Sequence, residues 1–192
     1  MFIDTSSKSG ARPVRADQPV LAANAGSPDL LAGLTVSACE QVALTQLPDA
    51  PVCLISGPVA SSAVVRKAAK AGDGVVRAVQ PGQALAVGAA GESFSALVER
   101  LGAPAQVSLC DLSDARIRLS LSGPRAEDVI ATQSGMDTGL SVFKPGSSAP
   151  TLFGHVPVQL TRTGDDSFEI MAFSTYARDL AESLSRTLGL ID

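Results

Sequence analysis

Histidine, tryptophan and tyrosine are nearly missing from this 192-residue chain, which has one His, no Trp and one Tyr. With His155 as the sole imidazole, no metal cluster of several histidines can form, and any Ser-His-Asp or Cys-His arrangement must use that residue. His155 lies in Gly154-His155-Val156-Pro157, a turn entering a strand, and reads as a backbone-bonded structural histidine. Positive charge is scarce as well: 15 Lys and Arg face 19 Asp and Glu, a net charge of -4. No basic field neutralises phosphates, and six Phe with one Tyr are few for stacking on bases, so nucleic acid is excluded as an expected partner. The three cysteines, Cys39, Cys53 and Cys110, form no C-x-x-C pair and sit in or beside apolar runs. They read as reduced core residues of a cytosolic protein. No P-loop occurs and no G-x-G-x-x-G follows a strand; Gly72-Asp73-Gly74 and Gly88 to Gly91 are too short for a dinucleotide cradle. No apolar run reaches the ~20 residues of a membrane span, and the first residues lack a secretory signal's charged start and apolar core. The expected location is the cytoplasm, with no membrane contact.

What the chain has is 45% hydrophobic residues, enough for a core. Residues 1–35 are read as a flexible N-terminal arm, because Met1 to Asp29 is rich in Ser, Ala, Gly and Pro without a hydrophobic period. An arm that orders against another subunit is the alternative. Residues 36–192 form the expected domain. Its clearest stretch is Arg116 to Ser122, where Ile117, Leu119 and Leu121 alternate with Arg116, Arg118, Ser120 and Ser122, the period of a half-buried strand. Gly123-Pro124 ends it, and Ala126, Val129 and Ile130 at i, i+3, i+4 start a helix. Ser56-Gly57-Pro58-Val59-Ala60 repeats Ser122-Gly123-Pro124-Arg125-Ala126 at an offset of 66, with Ala63-Val64 falling on Val129-Ile130. Two copies of one supersecondary unit are implied.

The remaining elements follow the same plan. Strands are expected over Glu40–Leu47, Val52–Ile55, Val75–Val79 and Ala84–Gly88, with a helix over Gly91–Leu101. Beyond them come strands over Gln106–Leu112, Val156–Leu160 and Phe168–Phe173, then a last helix capped by Ser174 or Thr175. The predicted fold is α+β, two pseudo-repeated β-α-β-β-α halves of split-βαβ, ferredoxin-like type, over about 39–104 and 105–192. The second copy carries an insertion, Gln133 to His155, whose Leu140, Val142, Phe143, Leu152 and Phe153 imply that it packs on something. Asp111 and Asp114 beside Arg116 read as a strand turn with a local ion pair rather than an acid/base pair. Arg116, Arg118, Arg125 and Arg162 are expected on one exposed sheet face, either a solvated surface or a carboxylate-rich docking patch.

Taken in order, several motifs resemble the gamma subunit of heterotetrameric sarcosine oxidase. They are Asp111-Leu112-Ser113, the Leu119 to Ala126 run, Met136-Asp137, Phe143-x-Pro145-Gly146-Ser147, Thr151-Leu152-x-Gly154-His155-Val156-Pro157-Val158, Asp166-x-Phe168-Glu169 and Ser174-x-x-Ala177-x-x-Leu180. The resemblance covers about Pro81 to Leu188, and Cys39 to Gly74 loosely. It implies a small accessory subunit with the fold of folate-dependent aminomethyltransferases, carrying no catalytic, cofactor or metal residue of its own. In that family, large alpha and beta subunits and a small delta subunit are the partners, and FAD, FMN, NAD, tetrahydrofolate and zinc belong to them. The assembled enzyme oxidises the N-methyl group of sarcosine to give glycine and hydrogen peroxide and passes the one-carbon unit to tetrahydrofolate. Arg116, Arg118, Arg125, Phe143 and Phe153 are the expected partner contacts. Two rivals stand beside this: a stand-alone folate-binding one-carbon transfer protein using Asp137 or Glu169 for the pterin, and a paralogue that keeps the fold without the partner.

Overall fold

A computed structural model describes residues 38–39, 41–60, 63–70, 74–102 and 106–191. The expected N-terminal arm, the turn at Gly72-Asp73 and the side chains of Cys39, Ala63 and Val64 lie outside the described residues. In chain order the elements are β1 (Ala38–Cys39), β2 (Val42–Gln46), β3 (Val52–Ser56), α1 (Ala63–Lys70), β4 (Val75–Gln80), β5 (Gln83–Val87) and α2 (Phe94–Leu101). They continue with β6 (Ser108–Asp111), β7 (Arg116–Ser122), α3 (Ala126–Gln133), β8 (Ser148–Phe153), β9 (Val156–Gly164), β10 (Ser167–Phe173), a 3-10 turn (Ser174–Tyr176) and α4 (Ala177–Ile191). Two antiparallel sheets result: a six-stranded sheet ordered β1-β2-β7-β10-β9-β8 and a four-stranded sheet ordered β4-β5-β3-β6. No helix among the described residues is long and apolar enough to cross a membrane.

The period-2 alternation decides the layering. On β7, Ile117, Leu119 and Leu121 are buried with Phe168 and Ile170 of β10 beneath Val129 and Ile130 of α3 and Leu180, Leu184 and Leu188 of α4. Burying each such side chain contributes about 2 kcal/mol before ordering entropy is counted. In the smaller sheet, Cys53, Ile55, Ala84 and Ala86 face Val65 of α1 and Leu97 and Leu101 of α2. The opposite faces meet each other, Val52, Leu85 and Val87 packing on Met171. The molecule is therefore layered helix, sheet, sheet, helix.

The two Ser-Gly-Pro turns have one geometric job. Gly57 has φ +145° and donates its N–H to the Gly82 carbonyl at 2.8 Å; Gly123 has φ +129° and donates to Asp166 at 2.9 Å. A Cβ at Gly57 would lie 2.3 Å from the Gln106 carbonyl oxygen, and one at Gly123 would lie 2.2 Å from that of Gln41. Each turn thus lets the backbone leading into another strand pass against it: Gln106 before β6, which pairs with β3, and Gln41 before β2, which pairs with β7.

Three local expectations are corrected. The insertion is not loop throughout, since 148–153 form the edge strand β8. Pro150 and the polar start hide its alternation, and an edge position tolerates the missing N–H. Helix α2 begins at Phe94 because Ser93 Oγ accepts from the Ala96 N–H at 3.2 Å. Neither Ser174 nor Thr175 caps the last helix by side chain; both lie in the 3-10 turn, anchored by the Ser174 N–H donating to the Ala115 carbonyl at 2.9 Å.

Candidate functional site

The polar face of β7 is not a solvated surface. Arg118 points between the sheets, where its Nε lies 2.9 Å from Glu169 Oε1. From the facing sheet, Arg77 grips the same carboxylate with both terminal nitrogens, at 2.5 and 2.6 Å. Arg77 and Glu169 are each 4% exposed. Burial pushes the Glu169 carboxyl up, but the hydrogen bonds and charges of Arg77 and Arg118 outweigh it and hold its pKa at about 2. Glu169 is therefore an ionised clamp between sheets, with no proton to exchange near neutrality. Gln159 Nε2 adds hydrogen bonds to the Ala78 carbonyl at 3.2 Å and to Ser148 Oγ at 2.8 Å, and the Val52 N–H donates to Ser113 Oγ at 3.1 Å.

Arg162 faces the other way. Alternation with Val158 and Leu160 sets Arg162 opposite Phe168, on the helix-bearing side, fully buried, with its guanidinium 4.4 Å from the Phe168 ring centroid. It donates to the carbonyls of Asp165 and Thr138 and to Glu127 Oε2 at 3.0 Å, while its backbone pairs with Gly146 and Ser147. One side chain thus fastens the segment between α3 and β8 to the sheet. Arg162→Ala should cost about 2 kcal/mol, the buried Thr138 carbonyl losing its donor and the Phe168 ring its cation. The expected signature is faster amide exchange at 138–147 with β7 unchanged; uniform exchange across the sheet would contradict the assignment.

The other expected contacts separate as well. Arg125 stays at the start of α3, its Nε 2.9 Å from Asp128, and belongs to neither sheet face. Phe143 and Phe153 are core residues, 7% and 3% exposed, so the apolar surface of this segment consists instead of Leu140, Val142 and Leu152. Among the described residues Arg116 pairs with no aspartate; it lies 3.6 Å above the Phe173 ring, and Asp111 instead accepts from Ser113 N and Oγ at 2.9 and 2.6 Å. Sheet register places Arg118 beside Arg116 on the inner face, away from Arg162. Arg77 lies outside the group of arginines that the sequence patterning singles out. Its signal was a single charge inside Val75-Val76-Arg77-Ala78-Val79, matched by a single opposite charge inside Phe168-Glu169-Ile170-Met171.

The remaining reactive groups have local roles. Cys53 is buried, and burial pushes its thiol up to about 11; Cys110, expected in the core, is exposed on β6. Asp137 accepts from the Gly139 N–H at 2.9 Å. His155 is exposed in the β8–β9 turn, on the rim of a cavity of about 370 Å³ that Asp179, Glu182, Ser183 and Arg186 of α4 close from the other side. Among the described residues no three His, Cys, Asp or Glu side chains are grouped to hold a metal ion.

No protein-family model matches the chain. No curated protein matches it either. Solved structures do: a chain of the heterotetrameric sarcosine oxidase from Corynebacterium sp. U-96, in complex with pyrrole 2-carboxylate, superposes with a TM-score of 0.67 at 20% identity. That match covers 79% of this chain and 86% of the other. The glycine cleavage system aminomethyltransferase T from Bartonella henselae superposes with a TM-score of 0.57 at 19% identity, over 75% of this chain and 45% of the other. This chain thus spans less than half of the aminomethyltransferase. At these identities the shared property is the fold.

Proposed function

We propose that this chain is a non-catalytic accessory subunit of an N-methyl-amine oxidase, equivalent to the gamma subunit of a heterotetrameric sarcosine oxidase. The observation that carries the reading is the superposition of 79% of this chain on 86% of a chain of such an assembly, reinforced by the ordered motif series from Asp111 to Leu180. Under it, alpha, beta and delta subunits hold FAD, FMN, NAD, tetrahydrofolate and zinc, and oxidise sarcosine to glycine and hydrogen peroxide. This chain supplies packing surface in the cytoplasmic complex. The strands also support reading the domain as two ferredoxin-like β-α-β-β-α copies. The order β4-β5-β3-β6 parallels β9-β10-β7-β2, and Gly57 and Gly123 occupy matching turns.

Coexpression of the tagged chain with the large subunits encoded in its own genome tests this. The expected result is a stoichiometric yellow complex that makes peroxide from sarcosine, while the chain alone is colourless. A colourless lone protein overturns the reading. The aminomethyltransferase likeness favours one alternative, a stand-alone folate protein, which requires tetrahydrofolate to raise the melting temperature of the isolated chain.

A further inference from the structure

Sheet register aligns one row across the end of the six-stranded sheet. Arg116 of β7 faces Phe173 of β10, and Pro157 of β9 faces Leu152 of β8. Carrying the Ala172–Val158 register one step on brings Phe173 level with Pro157. The row lies on the inner face, one pleat beyond Arg118 and Met171, which the smaller sheet covers. That cover ends here: Phe173 is 39% and Leu152 55% exposed, and Pro157 is exposed.

Charge says what covers the row. The inner face carries Arg77, Arg116 and Arg118, and the ion pairs seen there among the described residues all go to Glu169, which Arg77 and Arg118 occupy. Among the described residues Arg116 has no ion-pair partner, and its Nε is buried without an acceptor. Yet its guanidinium is already held flat on Phe173, so a carboxylate arriving there meets a donor whose ordering cost has been met. Strand addition to β8 is obstructed, because Pro150 in mid-strand has no N–H to give. Contact must be made by side chains on the face.

We propose that the row Arg116–Phe173–Pro157–Leu152 is a docking surface for an apolar segment of a partner chain bearing a carboxylate that pairs with Arg116. This rests on the accessory-subunit reading and names its contact. The test is copurification of the tagged full chain with the large subunits, comparing wild type with Arg116→Gln, Leu152→Asp and, as a control at the far end of the sheet, Val142→Asp. Arg116→Gln and Leu152→Asp should each reduce recovered large subunit at least tenfold while keeping the wild-type melting temperature, with Arg116→Lys recovering part of the loss. Val142→Asp should copurify normally. Full recovery with Arg116→Gln and Leu152→Asp overturns the surface and leaves the subunit reading standing. No recovery with wild type overturns both. A wild-type homodimer that Leu152→Asp dissociates makes a second copy the occupant and overturns the partner assignment.

Discussion

Glu169→Ala is expected to lower unfolding free energy by about 3–5 kcal/mol, because it strands two guanidinium groups between the sheets without their counter-charge. Arg77 cannot turn to water, its side chain being 5% exposed. Urea titration followed by circular dichroism measures the loss. The combined replacement Arg77→Met, Arg118→Met, Glu169→Met should recover most of it, since removing every charge also removes the desolvation penalty. A single variant as stable as wild type would mean that the clamp contributes nothing.

The same clamp sets the response to acid. The carboxyl pKa of Glu169 is about 2 in the folded chain against 4.5 as its ordinary value. A depressed pKa stabilises the fold above pH 4.5, and that stability drains as pH falls from 4.5 to about 2. The shift corresponds to about 3 kcal/mol, undiminished by solvent because Glu169 is 4% exposed. Melting temperature should therefore fall more steeply through this window in wild type than in Glu169→Gln. Parallel curves would refute the linkage.

Gly123→Ala is expected to destabilise by about 3 kcal/mol, through a backbone conformation that disfavours side chains and a methyl pressed into a main-chain oxygen. The Cβ would sit 2.2 Å from the Gln41 oxygen, so the relief must come from backbone displaced at the start of β2. Gly102→Ala makes a useful comparison. It also has positive φ, +71°, but nothing lies within 4 Å of its added Cβ, so its loss should be roughly 1 kcal/mol. Thermal melts of the two variants rank the terms, and equal losses would show that the close approach is inconsequential.

Elements with a long, regular period were legible in the sequence: β7 runs over Arg116–Ser122 as its alternation predicts, and α2 places Leu97 and Leu101 in the core. What alternation cannot reveal is what covers a polar face. Arg118 and Ser120 look solvated until a second sheet arrives carrying a compensating pattern, Arg77 against Glu169. Arg162 lies two residues beyond Leu160 and four beyond Val158, so plain alternation carries it to the helix-bearing face with them; its charge, not its spacing, suggests a solvated position. Phe143 reaches the core from an irregular segment that carries no period, and Phe153 from the end of β8, whose alternation Pro150 and the polar start conceal. The row through Leu152 and Phe173 combines residues from four strands, so it exists only after register is known.

Strand order has a consequence for synthesis. β10 is made after every other described strand, yet it lies in the middle of its sheet between β7 and β9. β2 likewise leaves the ribosome long before β7, against which it pairs. A chain stalled before Ser167 therefore holds β7 and β9 with open hydrogen-bonding edges, and lacks both Glu169 and Phe173. Closure of the sheet waits on pairings between strands far apart in sequence, the kind that form slowly. Completed chains alone can carry the inter-sheet clamp and the exposed row together, so incomplete products are left sticky, unclosed and open to proteolysis.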